Sequence, residues 1–346
     1  MSRAVAPAPP RLVVLQSFRQ PRPTTNPYVS LLLRSLPEDV SALTFSWRRA
    51  LLGRYDVLHL HWPDVLLRGT STLRTLGRRA LVAALLVRLV LARTAVVRTV
   101  HNPAPHERGP AVERLLLAAL DRCTALAVHL SPSTADAVRP GLPGVVVPHG
   151  HYREWYTAAD VRPVPGRLLH FGLLRPYKGV DALLGAFSAT PGDLQLRVVG
   201  HPSSPALAEE LTAAAAADPR VALDLQHAPD DALAAEIAAA ELVVLPYRSM
   251  HNSGALLLAL SLDRPVLVPE TSMTTALAEE VGAGWVLTHH GEVSAQHLQE
   301  ALVAVRAAGR SPRPDLSARE WPAAGAEHAR AYRRAVAVRA SRRRTA

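Results

Sequence analysis

The sequence predicts an α/β protein made of two doubly wound domains, each with a parallel sheet between layers of helices. Short β-branched apolar runs alternate with longer Ala/Leu-rich stretches, which is the pattern of strands and crossover helices in a parallel sheet. The pattern occurs once in each half of the 346-residue chain, with a break near residues 149–165, a stretch rich in Gly, Pro and Tyr. The length is sufficient for two domains with separate cores.

Twelve strands are expected, six in each half. Those of the first half cover residues 11–16, 40–45, 56–61, 95–101, 125–130 and 145–148. Those of the second half cover residues 167–171, 195–200, 221–225, 242–245, 265–268 and 285–287. Helices fill the gaps, as at residues 181–189, 205–217 and 230–240. The predicted domains are 1–150 and 151–320, followed by a C-terminal helix and basic tail at 321–346. Ligands of such sheets bind beyond the carboxyl ends of strands, so the loops after strands are expected to carry the chemistry.

Residues 73–100 are an unusual helix candidate. They contain long apolar runs interspersed with five arginines before residue 95: Arg74, Arg78, Arg79, Arg88 and Arg93. The segment suits an interfacial helix that buries its apolar side in a bilayer and places its arginines among headgroups. It equally suits a core helix whose arginines extend to solvent. The sequence leaves both interpretations open.

Composition limits where the protein works. The single cysteine, Cys123, cannot form an internal disulfide, which fits a reducing compartment. Prolines at positions 7, 9 and 10 interrupt the first apolar residues, so no signal peptide is expected. No stretch reaches the ~18 uncharged apolar residues of a membrane span. We therefore expect a cytoplasmic protein, with the inner face of the plasma membrane as one peripheral location.

The net charge of +10 is unevenly placed. Residues 1–160 contain 20 arginines and 10 acidic residues, whereas residues 161–346 contain 19 basic and 19 acidic residues. A basic first half indicates an anionic partner such as a phospholipid, a lipid diphosphate or a nucleic acid. Drift toward arginine in a GC-rich genome is the alternative explanation. Nucleic acid is not expected, because aromatic residues are not interleaved with the arginines.

Lys178 is the only lysine among 39 basic residues. Every other basic residue of the chain is an arginine. The single lysine therefore indicates a site that needs a compact ammonium group rather than a planar guanidinium. Gly172 ends a predicted strand, Arg175 and Lys178 follow it, and a helix begins shortly after. Two cations at a strand end beside a helix N-terminus are the arrangement of a diphosphate site.

A second polar loop follows the strand at 242–245. It contains Tyr247, His251, Asn252, Ser253 and Gly254, and a helix is expected directly after it. Asn252 or Ser253 is expected to cap that helix, whose first N–H groups would face an anion. We therefore add Asn252, Ser253 and Gly254 to the predicted diphosphate site, and Gly172, Tyr247 and His251 as further donor-binding candidates.

The candidate catalytic groups lie in the first half. His101 ends the strand predicted at 95–101, and Glu107 lies in the loop after it. Asp64 follows the strand at 56–61 and is a candidate base, because an inverting transfer requires a group that takes the acceptor proton. A turn-capping role is the alternative for Asp64. The paired histidines along the chain, such as His59 with His61, do not reproduce a zinc spacing.

The segment from Gly172 to Phe187 resembles the Gly-Arg-x-x-x-x-Lys-Gly signature of GT-B glycosyltransferases of the family-4-like type. The resemblance implies two Rossmann-like domains facing a central cleft, metal-free chemistry, and binding of the donor diphosphate by Arg175 and Lys178. It also implies that His101 contacts the sugar or acts in transfer, and that Gly150 is the hinge between domains. Residues 16–28 replace the Gly-Gly loop of many members, so acceptor recognition is expected to differ.

One feature of the family is missing. Its two glutamates, eight positions apart, correspond here to Met250 and Leu258, which puts the usual sugar recognition and retaining stereochemistry in doubt. The Ser253-Gly254 version is similar to bacterial exopolysaccharide and lipid-linked mannosyltransferases, whose donor is often GDP-mannose.

The resemblance implies transfer of a hexose, with mannose favoured, from a nucleotide diphosphate sugar to a saccharide or lipid-linked acceptor, without a metal or other cofactor. A UDP-sugar donor and a catalytically silent GT-B partner protein are the alternatives. An anionic membrane surface is the expected further partner.

Overall fold

The computed structural model describes residues 11–22, 25–101, 109–132, 134, 139–157, 161–250, 254–307 and 309–341. The chain divides into two compact units, of which the first contains residues 1–150 and 319–346 and the second contains residues 151–318. The C-terminal helix, which the sequence analysis assigned to neither domain, therefore belongs to the first unit.

The first unit is built on a six-stranded parallel sheet with the order β2-β1-β3-β4-β5-β6. Its strands are β1 (Leu12–Gln16), β2 (Val40–Leu43), β3 (Val57–Leu60), β4 (Ala95–Val100), β5 (Leu126–His129) and β6 (Gly144–Val146). Its helices are α1 (Pro27–Ser35), α2 (Trp47–Leu52), α3 (Pro63–Leu67), α4 (Thr72–Leu91), α5 (Ala111–Cys123) and α12 (Trp321–Ser341).

The second unit repeats the architecture with the order β12-β11-β10-β7-β8-β9. Its strands are β7 (Arg167–Phe171), β8 (Gln195–Val199), β9 (Val221–Asp224), β10 (Leu242–Val244), β11 (Val266–Pro269) and β12 (Val286–His289). Its helices are α6 (Val180–Ser188), α7 (Pro205–Ala215), α8 (Asp230–Ala239), α9 (Gly254–Ser261), α10 (Ser272–Val281) and α11 (Ala295–Arg306). Each of the twelve predicted strands corresponds to an observed strand, with ends that differ by one or two residues.

The helix predicted at residues 73–100 is shorter than expected. It begins after Ser71, whose side chain accepts a hydrogen bond from the Arg74 N–H, and it ends at Leu91. Arg93 adopts a left-handed conformation with φ 53°, which stops the helix, because that backbone conformation cannot continue a right-handed turn. The β-branched run that follows forms β4 instead.

Helices cover both faces of the first sheet. Leucines of β1 and β3 pack with α2–α5 in one apolar cluster, while α12 packs on α1, β3, β4 and β5. At the α1–α12 contact a Cβ on Gly325 would lie 1.9 Å from the Ser35 carbonyl oxygen, so only glycine permits this approach. The close packing holds α12 against the sheet and positions His328 and Tyr332.

Charge divides unevenly between the units. The first unit has 27 arginines and 10 acidic residues, and the second has 12 basic and 19 acidic residues. With histidines neutral, the formal charges are therefore +17 and −7. The second half looked neutral from the sequence because residues 319–346, with eight arginines and two glutamates, were counted with it. No helix among the described residues has the length and apolarity needed to cross a membrane.

Candidate functional site

A cluster of buried polar side chains lies at the carboxyl ends of the central strands of the first sheet. Gln16 ends β1, His61 follows β3 and His101 follows β4. The strand order reverses between β1 and β3, and such a switch point is where open α/β sheets bind ligands. His61 is buried, whereas His101 is partly exposed. The cluster therefore reaches the surface at His101.

Hydrogen bonds link Gln16, His61 and His101 in a chain. The Gln16 side-chain N–H donates to the Tyr332 hydroxyl at 3.3 Å, which leaves the Gln16 Oε1 facing His61 Nε2 at 3.0 Å. His61 must then donate from Nε2 and accept at Nδ1, which lies 3.3 Å from His101 Nε2. His101 consequently carries its proton on Nε2, and its Nδ1 is the basic nitrogen.

The surroundings keep these imidazoles neutral. Burial lowers the pKa of His61 and of His101 well below the usual value, and neighbouring histidines lower both further. Trp62 stacks on His101 with ring centroids 4.2 Å apart, which fixes the plane of the ring. His101 is thereby held as an oriented, neutral imidazole at the end of β4.

A second layer of polar contacts supports the chain from α12. The Tyr332 hydroxyl lies 2.9 Å from His59 Nδ1, and His59 Nε2 lies 2.8 Å from the Thr99 hydroxyl. Burial and the nearby His328 and His101 lower the pKa of His59 well below its usual value. Sequence reasoning missed Gln16, His61 and Tyr332 as parts of this site. The only signal was their position, since Gln16 and His61 each stand at a strand end.

The positions of the other predicted site residues of the first half say less about their predicted roles. Asp64 lies in the first turn of α3, two residues after Trp62, and is partly exposed. Glu107 lies outside the described residues, so its catalytic role stays a prediction. Gly150 is the last residue before the boundary of the first unit. A Cβ there would lie 2.4 Å from the Trp321 ring, so Gly150 is required for packing within the first unit, and its hinge role stays a prediction.

We expect the buried histidines to make the protein acid-labile. Burial lowers the pKa of His149 and of His328 to about 4 and lowers that of His59 well below its usual value. The unfolded chain therefore binds more protons below pH ~6.5. Stability that is complete above this pH should be lost as the pH falls toward 4, by about 1.4 kcal/mol per pH unit for each such histidine.

Thermal unfolding followed by circular dichroism between pH 7.5 and 4.5 measures this loss. His328→Gln should reduce the pH dependence by about one proton. A melting temperature that does not change between pH 7 and 5 would contradict the prediction.

The second candidate site lies at the switch point of the second sheet, where the strand order reverses between β7 and β10. After β7 the chain turns at Gly172, with φ 104°, and forms a short 3-10 turn at Pro176–Lys178. Gly179 then adopts φ 67°, and a Cβ there would lie 2.3 Å from the Pro246 carbonyl oxygen. Gly179 thus lets the loops after β7 and β10 lie close together, because a side chain at this position would meet the Pro246 backbone.

Lys178 is held tightly in this loop. It is 8% exposed, and its Nζ lies 5.1 Å from the centre of the Tyr247 ring. A Cβ on Gly172 would lie 3.3 Å from the same Nζ, so Gly172 makes room for the ammonium group. Burial, and then the charge of Arg175, lower the pKa of Lys178 to about 8.

The two cations have no acidic partner in the described part of the chain. Neither Arg175 nor Lys178 forms an ion pair there, whereas Arg248 nearby contacts Asp181 at 2.5 Å and Glu292 at 3.3 Å. Two close, unneutralised cations at a strand end are an anion-binding arrangement. The structure thus brings together Gly172, Arg175, Lys178 and Tyr247, and their role in donor binding stays a prediction.

His170 is a neighbour that the sequence reasoning missed. It is fully buried in β7 and its Nδ1 donates to the Val244 carbonyl at 2.9 Å. Its Nε2 is buried without a hydrogen-bond partner. Burial, and then the charge of Lys178, lower the pKa of His170 to about 3. His170 therefore adds no positive charge beside Lys178.

Part of the predicted diphosphate site falls outside the described residues, namely His251, Asn252 and Ser253. Gly254 begins α9, one residue earlier than predicted, and a Cβ there would lie 3.0 Å from the Tyr152 hydroxyl. Met250 and Leu258, at the positions of the missing glutamates, are both buried. Within the described ranges, no group of three or more His, Cys, Asp or Glu residues is arranged to hold a metal ion.

Comparison with known proteins identifies relatives over nearly the whole chain. The family described as "Glycosyl transferases group 1" matches residues 165–306. A GDP-mannose:glycolipid 4-beta-D-mannosyltransferase of Xanthomonas campestris pv. campestris is 49% identical over 333 residues, which are 96% of this chain and 95% of the relative. A second sequence of the same description is 48% identical over 333 residues, with the same coverage.

Solved structures agree in fold. The Anabaena protein HepE, crystallised with UDP and glucose, aligns with a TM-score of 0.59 and 16% identity over 96% of this chain and 99% of that protein. Sucrose-phosphate synthase of Thermosynechococcus elongatus aligns with a TM-score of 0.63 and 15% identity over 94% and 100%. The GT-B fold predicted from the Arg175–Lys178 segment is confirmed.

Proposed function

This chain belongs to the group 1 glycosyltransferases, and from that premise we propose that it transfers mannose from GDP-mannose to a glycolipid with inversion at the anomeric carbon. The observation that carries the proposal is the 49% identity to a mannosyltransferase of that description across 96% of the chain. The missing glutamate pair at Met250 and Leu258 agrees with an outcome other than retention.

The donor diphosphate would bind the second unit at Arg175 and Lys178. The ammonium group is fixed between Gly172 and Tyr247, and both cations lack acidic partners among the described residues. As the bond to the sugar breaks, charge develops on the leaving GDP, and fixed cations stabilise that charge. We propose that these two side chains take the place of a metal ion.

The acceptor hydroxyl would be activated in the first unit. An α-linked donor sugar gives a β-linked product by a single displacement, in which a base takes the acceptor proton. His101 fits this role because the hydrogen bonds from Gln16 through His61 place its basic nitrogen at Nδ1. Asp64 is the second candidate base.

A donor screen tests the proposal. A membrane extract of a bacterium that makes such glycolipids supplies the acceptor. With this extract, the protein is expected to release GDP from GDP-mannose faster than it releases UDP from any UDP-sugar. A UDP-sugar preferred over GDP-mannose would favour the UDP-dependent alternative. No turnover of any donor would favour a catalytically silent protein.

Chelation tests the metal-free part separately. We expect turnover to be unchanged by EDTA, because the charge on the leaving diphosphate would be stabilised by Arg175 and Lys178 rather than by a divalent ion. Loss of activity on chelation, with recovery on adding Mg²⁺ or Mn²⁺, would contradict this prediction.

We also propose that the first unit docks on an anionic membrane. The outward side of α4 carries a row of uncharged residues, the α4 stripe, with the exposed Arg74 beside its N-terminal end. The stripe is made of Leu73, Leu76, Ala80, Ala83, Ala84, Val87, Val90 and Leu91. Leu73 is 80% exposed and Leu91 is 77% exposed. A glycolipid acceptor lies in a bilayer, and the unit that carries the stripe has a formal charge of +17, which complements anionic headgroups.

Three of the four arginines of α4 bond to neighbouring elements of the first unit. Arg78 donates to the Val65 carbonyl, Arg79 pairs with Glu113 at 3.5 Å, and Arg88 donates to the Leu51 carbonyl and stacks on Tyr55. These three side chains hold α4 to its neighbours, whereas Arg74, the fourth arginine of α4, is exposed beside the N-terminal end of the stripe. Attraction to the membrane would come from the rest of the unit and insertion from the stripe.

Vesicle sedimentation tests this docking. The protein is expected to bind anionic vesicles at low salt, and binding should weaken as salt screens the basic unit. Val87→Glu should reduce binding about tenfold, because it places a charge in the stripe. Val303→Glu is the matched control, since Val303 is 70% exposed on α11 of the second unit. Equal binding by the two variants would contradict the role of the stripe.

A further inference from the structure

A cavity of about 210 Å³ opens at the amino ends of β3 and β4, and is called here the amino-end cavity. It lies between the turn that follows α4 and the last turns of α12. His101 follows the carboxyl end of β4, so the cavity is at the opposite end of the first sheet from the His101 site. The proposed sugar transfer therefore gives this cavity no role.

Three charged side chains line the amino-end cavity without pairing with one another. They are Asp56, Arg93 and Arg339, and none of them forms an ion pair in the described part of the chain. Carboxylates and guanidinium groups of this unit do pair elsewhere, as Arg98 does with Asp121 at 3.0 Å. Opposite charges that share a cavity but stand apart leave room between them for a ligand that carries both charges.

The lining also offers unused hydrogen-bonding groups. Arg339 Nε is buried without a partner. The Thr94 side chain is buried, and its hydroxyl accepts only a long bond from Arg88, at 3.5 Å. Asp56 Oδ2 accepts from the Val13 N–H at 2.8 Å, which orients the carboxylate and leaves its other oxygen available. The cavity thus has donors for an oxyanion and an acceptor for an ammonium group.

Arg93 occupies a backbone position that arginine rarely takes. Its φ of 53° lies in the left-handed region, which glycine and asparagine adopt at lower cost. Strained positions of this kind concentrate at ligand sites. An arginine at this turn is explained if its guanidinium group binds a ligand in the cavity.

Apolar side chains flank the amino-end cavity. The α4 stripe ends at Leu91, which is 77% exposed and directly precedes the lining residue Ala92. Leu52, which is 80% exposed, lies three residues before the lining residue Tyr55. A soluble zwitterion would leave both leucines in water, whereas a membrane lipid would place its headgroup in the cavity and its acyl chains beside them.

We propose that the amino-end cavity binds the phosphoethanolamine headgroup of a membrane lipid, with the phosphate at Arg93, Arg339 and Thr94 and the ammonium group at Asp56. The inference rests on the proposed membrane docking and adds to it a preference for one lipid. A purely anionic headgroup would leave Asp56 without a partner. A phosphocholine headgroup has no N–H group to donate to Asp56.

Soluble headgroups test the site without a membrane. The probes are three phosphodiesters of equal phosphate charge: glycerophosphoethanolamine, glycerophosphocholine and glycerophosphoglycerol. Calorimetry and saturation-transfer NMR measure their binding to the full chain. Glycerophosphoethanolamine is expected to bind about tenfold more tightly than the other two, because only its ammonium group makes a charge-assisted hydrogen bond to Asp56.

Two variants separate the halves of the headgroup. Arg93→Asn should weaken binding of glycerophosphoethanolamine about tenfold or more, while the melting temperature is kept or raised, since asparagine suits the left-handed backbone. Asp56→Asn keeps an acceptor for the Val13 N–H and removes the charge, so the preference over glycerophosphoglycerol should disappear. Arg334→Gln is the matched control, because Arg334 is exposed on α12 and does not line the cavity; it should change binding less than twofold.

Vesicle sedimentation tests whether the headgroup belongs to a lipid. Vesicles with a constant fraction of phosphatidylglycerol are completed with either phosphatidylethanolamine or phosphatidylcholine. The wild-type protein and Arg334→Gln should bind the phosphatidylethanolamine vesicles about fivefold more tightly. Arg93→Asn should bind both compositions equally, which excludes a general effect of phosphatidylethanolamine on lipid packing.

The proposal is overturned if glycerophosphoethanolamine binds no better than glycerophosphoglycerol, or if Arg93→Asn and Arg334→Gln bind it equally. Failure of the proposed membrane docking would look different. In that case the wild-type protein would bind neither kind of vesicle, yet glycerophosphoethanolamine would still bind and would lose affinity in Arg93→Asn.

Discussion

Replacing Lys178 with alanine is expected to reduce turnover of the nucleotide sugar about 10²- to 10³-fold while leaving the fold intact. Lys178 is the only lysine in the chain, and its Nζ is fixed between Gly172 and the Tyr247 ring. Each charge-assisted contact to a diphosphate is worth about 1.5–3 kcal/mol, and these contacts strengthen as the leaving group gains charge. Steady-state release of GDP measures the loss.

Lys178→Arg tests the shape of the site in addition to its charge. The longer planar group does not fit where a Cβ on Gly172 would already lie 3.3 Å from the ammonium nitrogen, so this variant should also lose most of its turnover. Arg162→Ala, which removes an exposed cation from the same unit, is the control and should be active. Turnover near the wild-type level in Lys178→Ala would refute the assignment.

The same group predicts a pH dependence of donor binding. Burial and the charge of Arg175 lower the pKa of Lys178 to about 8, so its ammonium is lost as the pH rises through that value. Affinity for GDP-mannose should therefore fall above pH ~8, where the diphosphate itself no longer titrates. Bound donor favours the charged amine, so kcat should begin to fall at a higher pH than kcat/KM.

Replacing His101 with alanine is expected to lower kcat about 10²- to 10⁴-fold, which is the usual contribution of a general base. Affinity for GDP should change little, because Arg175 and Lys178 lie in the second unit. His101 is partly exposed, so its removal should not unfold the protein. Single-turnover kinetics, with GDP affinity measured in parallel, separates a lost chemical step from lost binding.

Gln16→Leu distinguishes a positioned base from a histidine that only fills space. It removes the acceptor that holds His61 in the tautomer donating from Nε2, so His101 loses its preferred orientation. An intermediate loss of kcat with a shifted pH profile is expected. His129→Asn is the control, because His129 ends the neighbouring strand β5 and bonds to Thr134 instead of the Gln16–His61–His101 chain. A kcat loss in this control equal to that of His101→Ala would mean that the effect is structural.

The parts of the protein that the sequence determined are local in the chain. Strand and helix order follows from periodicity within short windows, so all twelve strands were predictable. Arg175 and Lys178 were predictable because the two cations, the glycines that shape their loop and the following helix lie within a few residues of one another. Most of the proposed donor site therefore lies in one continuous segment, to which the loop after β10 adds Tyr247.

The parts that only the tertiary structure decided depend on residues far apart in the chain. Tyr332 of α12 bonds to Gln16 of β1 across 316 positions, and this contact fixes the tautomers of His61 and His101. The amphipathic pattern of α12 predicts a helix but not the sheet on which it packs, because that choice depends on complementary surfaces such as Gly325 against Ser35. The same choice moves eight arginines and two glutamates into the first unit and enlarges the charge difference between the two units.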